Sequence, residues 1–93
     1  MNNLNTIIHQ PIRLQIMIFL QIAKTAKFSE LKKELNITDG NLGSHLQKLE
    51  DAKLIKIKKK FVAKKPASII SITALGESEL VKYLDVLKSI IEK

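Results

Sequence analysis

The chain has 93 residues, no cysteine and a formal net charge of +7. A chain of this length buries only about 60–65% of its unfolded surface, too little interior for a deep catalytic cleft. Without thiols it holds no disulfide, thiolate metal site or thiol redox switch.

Leu4, Ile7 and Ile8 form a short apolar turn that cannot bury itself alone. Pro11 suits a first helical turn, and the spacing of Ile12, Ile16, Phe19, Leu20 and Ala23 predicts a helix from Pro11 to Ala26. Leu14, Met17, Ile18 and Ile22 widen its apolar surface almost all round, so it is central or shared with a partner. Arg13, Gln15 and Gln21 interrupt this run, which falls short of the ~20 residues that span a bilayer. The expectation is a cytoplasmic protein with no membrane partner.

Ser29 followed by Glu30 reads as the cap of a short helix with Leu31 and Leu35 inward, ended by Asn36. Thr38 offers an oxygen to cap a second helix, in which Leu42, Leu46 and Leu49 recur at i, i+4, i+7. Two short helices so close together, each with one narrow leucine stripe, are the helix-turn-helix pattern, expected over about residues 29–51. Gly40 and Gly43 fall in the second helix although each Gly costs roughly 1 kcal/mol against Ala. Gly40 is alternatively a turn residue, with the helix starting at Asn41.

In LIKIKKKF, Ile55 and Ile57 alternate with Lys56, Lys58 and Lys60, the period of a half-buried strand. AKKPAS reads as the turn, with Pro66 at the tip or a frayed edge, and Ser68 to Thr73 as the returning strand. The hairpin, or wing, covers about residues 54–73. A helix over about 75–92 closes the chain. Leu80, Leu84, Leu87 and Ile91 follow a 4-3-4 spacing, and Val81, Tyr83, Val86 and Ile90 add a second strip. One strip packs on the domain and the other is left for a second copy. The expected homodimer interface is Leu4, Ile7, Ile8, Leu80, Tyr83, Leu84, Leu87, Ile90 and Ile91. The alternative is a wide amphipathic helix lying over the core. The reading is a single mainly α domain, residues 1–93, with a small β-hairpin and a long C-terminal dimerisation helix.

The charge is local. Residues 53–73 carry seven lysines and no acid, while the flanking segments nearly balance. Clustered positive charge is the footprint of a polyanion binder.

The runs IHQPIRLQIMIFL, FSELKKELNITDGNLGSHLQKLEDAKLI, FVAKKPAS and SITALG resemble a compact family of winged helix-turn-helix transcriptional regulators of the MarR and ArsR kind. The resemblance covers about residues 7–92, and TDGNL to HLQKLE is its most specific part. It implies that the helix from Thr38 to Asp51 enters the major groove of double-stranded DNA while the wing touches flanking backbone or minor groove. A homodimer would then meet a pseudo-palindromic operator. With the leucine stripe inward, Gly40, Ser44 and Gln47 point outward, Asn41 and Lys48 lie beside them, and small groups there permit close approach. Asn41 and Gln47 carry amides that pair with adenine; Ser44 suits a base or phosphate, Lys48 a guanine edge or phosphate. Thr38 is a cap that also touches phosphate. Gly43 lies well inside the helix. Lys58, Lys60, Lys64 and Lys65 of the wing are expected on phosphates. Relatives often have arginine at the wing tip and proline at the position of Ala74. Arg13 reaches either phosphate or an ion-pair partner, and His45 sits nearer the leucine stripe, as a packing histidine rather than a contact.

The alternative function is a protein-interaction module on the same scaffold. RNA binding lacks a paired aromatic platform. Two histidines, no HExxH and no phosphate loop argue against an enzyme, a metal site or a cofactor. No effector is readable from the residues.

Overall fold

In the computed structural model, which describes residues 4–93, the elements run α1 (Pro11–Ala23), β1 (Thr25–Lys27), α2 (Phe28–Leu35), α3 (Asp39–Asp51), β2 (Ile55–Val62), β3 (Lys65–Ile72) and α4 (Ala74–Ile91). This is the expected winged helix-turn-helix order, with one strand added. Helix α1 starts where Pro11 fixes φ, and the Gln10 side chain accepts from the Arg13 N–H at 2.8 Å. It stops three residues earlier than its periodicity predicts. Lys24 turns to φ 71°, its N–H bonds the Leu20 carbonyl, and Thr25–Lys27 pairs antiparallel with Ile69–Ser71. A three-residue strand is too short to show alternation, so sequence alone extends the helix across it.

Helix α2 begins at Phe28, one residue before Ser29, and Ser29 is not its cap. Glu30 reaches back instead, its Oε1 accepting the Lys27 N–H at 2.9 Å. Asn36 ends α2 in the left-handed region, φ 52° and ψ 53°. Thr38 caps α3, its Oγ1 accepting the Asn41 N–H at 3.1 Å, so Gly40 lies inside the helix and not in a turn.

Strand β3 is central, between β1 and β2. The wing turns on two residues, Ala63 and Lys64, at φ 52° and 67°, in place of the longer AKKPAS loop. Both central residues at positive φ mark a type I′ turn, whose twist suits a hairpin. Pro66 therefore lies in β3, opposite Phe61. In a two-residue hairpin the closing pair, Val62 and Lys65, exchanges the hydrogen bonds, so the next position faces its absent N–H away from β2. The pairing of β1 with β3 stops at Lys27 opposite Ile69, so Pro66 leaves no ladder partner unsatisfied.

One cluster fills the interior: Ile8, Ile16, Met17, Leu20, Ala26, Leu31, Leu42, Leu46, Leu49, Leu54, Ile55, Ile70, Leu80 and Tyr83. Three expected dimer residues, Ile8, Leu80 and Tyr83, belong to this set and are at most 3% exposed. They have no surface left for a partner, because the core takes Leu80 from one strip of α4 and Tyr83 from the other. Leu4, Ile7 and Leu87 are half-buried against the same core, and Ile90 is half-buried. Leu84 and Ile91 are 39% and 73% exposed.

Gly76 is buried where α4 crosses the root of the wing. A Cβ there would collide with the Leu54 carbonyl oxygen and crowd Ile72 Cγ1 at 2.9 Å. The obstacle is backbone and cannot swing aside. Gly76→Ala is expected to destabilise the fold by about 1–3 kcal/mol, a fall in melting temperature of roughly 4–8 °C per kcal/mol, measured by thermal denaturation.

Candidate nucleic-acid interface

Helix α3 buries Leu42, Leu46 and Leu49 and presents Thr38, Gly40, Asn41, Ser44, Gln47 and Lys48 to solvent, with Gly43 half-exposed. Neither glycine has a positive φ. A Cβ built at Gly40 or at Gly43 meets no other part of the chain within 4 Å. Conformation and internal packing therefore leave the choice of glycine unexplained.

The polar groups of this face are partly committed. Gln47 Nε2 donates to Asp51 Oδ1 at 2.8 Å, which steadies the amide and leaves Oε1 to accept. Asp39, in the first turn, pairs with Lys32 of α2 at 3.0 Å. The pair is exposed and contributes at most about 1 kcal/mol of stability. Its larger effect is to offset the one negative charge at the helix end that would repel a phosphate.

The wing projects from the body, and the molecule measures 52 × 25 × 21 Å. The register sorts its side chains, since directly opposed residues share a face. Ile55, Ile57, Ile70 and Ala26 lie on the side that packs against the helices, and beyond them Lys59 and Phe61 continue that side. Phe61 is 79% exposed. Lys56, Lys58, Lys60, Lys65 and Lys27 occupy the other, outer face, with Lys64 in the turn. Lys58, Lys60 and Lys65 thus point away from the helices. The sequence marks Lys56 only through its alternation with Ile55 and Ile57 and does not mark Lys27, Lys59 or Phe61, although counting the alternation outward from Ile55 separates Lys59 from its neighbours.

Among the described residues no group of three or more His, Cys, Asp or Glu side chains is placed to hold a metal ion. No described helix is long and apolar enough to cross a membrane.

The family described as winged helix DNA-binding domain matches residues 12–91. An uncharacterised protein of Methanocaldococcus jannaschii is 35% identical over 78 residues, 84% of this chain and 85% of that one. The structure of a transcriptional regulator homologue from Pyrococcus horikoshii superposes with a TM-score of 0.89 at 40% identity, covering 95% of this chain and 87% of that one. A MarR mutant from Escherichia coli, solved with operator DNA, shares the fold at a TM-score of 0.70 and 18% identity, over 78% of this chain and 51% of that one.

Arg13 neither forms an ion pair nor stands free. Its Nε donates to the Ile7 carbonyl at 2.6 Å and its Nη1 lies 3.2 Å from His45 Nδ1. A guanidinium only donates, so His45 accepts at Nδ1 and carries its proton on Nε2. Burial first, then the charges of Arg13 and Lys48, holds the His45 pKa below its ordinary 6.5. In the unfolded chain the imidazole titrates near 6.5, and in the folded chain only at lower pH. Between those values the unfolded state binds more protons. The contribution of His45 is complete above about pH 6.5 and is lost as the pH falls toward the folded pKa. Calorimetric melting between about pH 7 and about pH 5.5 is expected to show this loss in the wild type. His45→Gln, which still accepts from Arg13 but does not titrate, is expected to flatten that part of the curve.

Proposed function

The chain belongs to the winged helix DNA-binding domain family, and we propose from this that it is a DNA-binding transcriptional regulator that acts as a homodimer. Helix α3 enters the major groove with Gly40, Asn41, Ser44 and Gln47 toward the base edges, where Asn and Gln amides recognise adenine. Thr38, Lys48 and the N–H groups of the first turn hold phosphate. Lys60, Lys64 and Lys65, at the outer end of the wing, neutralise flanking phosphates and add affinity without sequence information. Lys58 adds positive charge nearer the body.

The observation that carries this reading is the pair of glycines. They cost helix stability, and nothing inside the protomer calls for them. A surface that must let another body approach the helix backbone accounts for both. Operator DNA in the related MarR fold is consistent with that body being a duplex.

Dimerisation is supported by α4. The helix is about 27 Å long at 1.5 Å per residue, yet its buried residues end at Tyr83. Beyond it Leu84 and Ile91, with Val81, form an exposed apolar strip. A second copy seated there would relate two α3 helices by a twofold axis, matching half-sites one turn, about 34–36 Å, apart on a pseudo-palindromic operator.

Gly43→Ala is expected to stabilise the fold by about 0.5–1 kcal/mol, since the methyl meets open space. It is also expected to weaken binding to a selected operator by about tenfold, the scale of one lost base contact. Gly40→Ala should act in the same directions. Melting curves together with titration of labelled DNA check both. A stabilised variant with unchanged affinity would leave the glycines unexplained and remove the main support for α3 as the reading helix. For the dimer, Leu84→Glu with Ile91→Glu is expected to give a folded monomer in analytical ultracentrifugation, with operator affinity lowered by at least about tenfold through lost bivalency.

A further inference from the structure

The sheet carries six lysines on its three strands and no acidic residue. Five of the six stand on the outer face. A solvated sheet face kept for solubility ordinarily mixes both signs, and like charges on neighbouring positions repel. None of the five is in an ion pair; the ion pairs among the described residues are Lys24–Glu77, Lys32–Asp39 and Lys82–Glu79. The repulsion is therefore left uncompensated within the protomer.

We propose that the body end of this outer face, Lys27, Lys56 and Lys58, holds the phosphate backbone of a second DNA duplex while α3 reads the first. The proposal rests on the DNA-binding reading above and goes beyond it, making the protein a bridge between two segments of DNA.

The rows across the sheet set the chemistry. Thr25, Ser71 and Lys56 form one row, and Lys27, Ile69 and Lys58 the next. A groove of about 480 Å³ is lined by Thr25, Ser71, Lys56, Ile69 and Lys58 of these rows, with Lys60 and Thr73 also in its wall, and Lys27 stands beside it. Ammonium groups beside hydroxyls are phosphate-binding chemistry. Lys56 and Lys58 stand two residues apart, about 6.8 Å, which is the axial rise of two nucleotides along one strand of a duplex. No aromatic side chain stands on this face, since Phe61 lies on the other. A single strand, whose exposed bases need stacking platforms, is a poorer fit than a duplex that presents phosphates outward. Helix α3 packs on the opposite side of the sheet through Leu46 and Leu49, so a duplex seated on α3 leaves the body end of the outer face uncovered.

The test uses the full chain and two DNA probes. A labelled duplex of roughly 30 bp, selected for binding and long enough for two half-sites, is first bound to saturation. A biotinylated duplex of unrelated sequence is then added and collected on streptavidin. Wild-type protein is expected to carry the label onto the beads. Lys27→Glu with Lys56→Glu should lower that capture by about tenfold or more, and Lys27→Gln with Lys56→Gln by less. Both variants should keep the affinity and the salt dependence of the labelled duplex. Melting curves confirm that they fold. No capture by the wild type, or capture unchanged in the variants, overturns the proposal and leaves α3 reading untouched. Loss of labelled-duplex affinity in parallel with capture also overturns it, because the lysines would then serve the first duplex. Retention on biotinylated single-stranded RNA or an acidic polypeptide in place of the duplex overturns it in favour of that partner. Failure of the labelled duplex to bind at all removes the underlying function together with the bridge.

Discussion

The junction of the wing root with α4 fixes most of what this molecule presents to a partner. The Leu54 carbonyl accepts the Thr73 N–H at 3.0 Å, and Thr73 Oγ1 donates to the Lys53 carbonyl at 2.7 Å while accepting the Gly76 N–H at 2.9 Å. Only a residue without a side chain lets α4 cross that close. This knot closes the base of the hairpin with Ile55 opposite Ile72. A slip of one residue would move every side chain of β2 to the other face. Which lysines point toward the helices and which away is therefore decided at Gly76 and Thr73, well away from the lysines themselves.

A domain this small keeps its stability in one cluster of fourteen buried apolar residues, and no charged side chain among the described residues is buried with them. Against that core stand several unfavourable choices at the surface. Gly40 and Gly43 weaken α3, Ala63 and Lys64 sit at positive φ where Asn and Gly are preferred, and the outer face concentrates one sign of charge. Lys24 and Lys53, also at positive φ, close α1 and the α3–β2 connection, but the choices named above all lie on α3, the wing or β1. Local preference and fold disagree where a protein meets its partner, and the positions of these exceptions trace the same two surfaces as the charge.

The leucine stripes of α2 and α3, the alternation of Ile55 and Ile57 and the Thr38 cap were legible in the sequence because each is a local periodic signal with a local cause. The end of α1 was not, because β1 exists only by pairing with β3, more than forty residues later in the chain. The tight turn at Ala63 and Lys64 was hidden for a similar reason: its residues are not those a type I′ turn favours, and hairpin register imposes them. In α4, two apolar strips were visible, but sequence could not say which one the core takes. Leu80 and Tyr83 were divided between strips by spacing and are united by the fold. Arg13 and His45 lie 32 residues apart, and no motif announces their contact.

That contact joins two parts of the molecule with different proposed tasks. Asn5 Nδ2 donates to Glu79 Oε1 of α4 at 3.1 Å, and Asn5 Oδ1 accepts the N–H groups of Ile7 and Ile8. Arg13 then grips the Ile7 carbonyl with Nε and His45 of α3 with Nη1. His9, in the same N-terminal turn, meets the Tyr83 hydroxyl of α4 at 2.8 Å. The N-terminal turn is thus a bracket between the helix proposed to dimerise and the helix proposed to read DNA. In a dimer built through α4, the separation of two α3 helices depends on how rigidly each is held to its own α4, because the operator tolerates only one spacing. A bracket of hydrogen bonds around buried Ile8 adds to that rigidity at Glu79 and Tyr83, the stretch where Leu80 and Tyr83 seat α4 on the core. It also explains why an arginine at position 13 faces inward in a chain with sixteen cationic residues, fifteen of them lysine. Two parallel tasks for one side chain need the fixed fork of a guanidinium, which an ammonium does not provide.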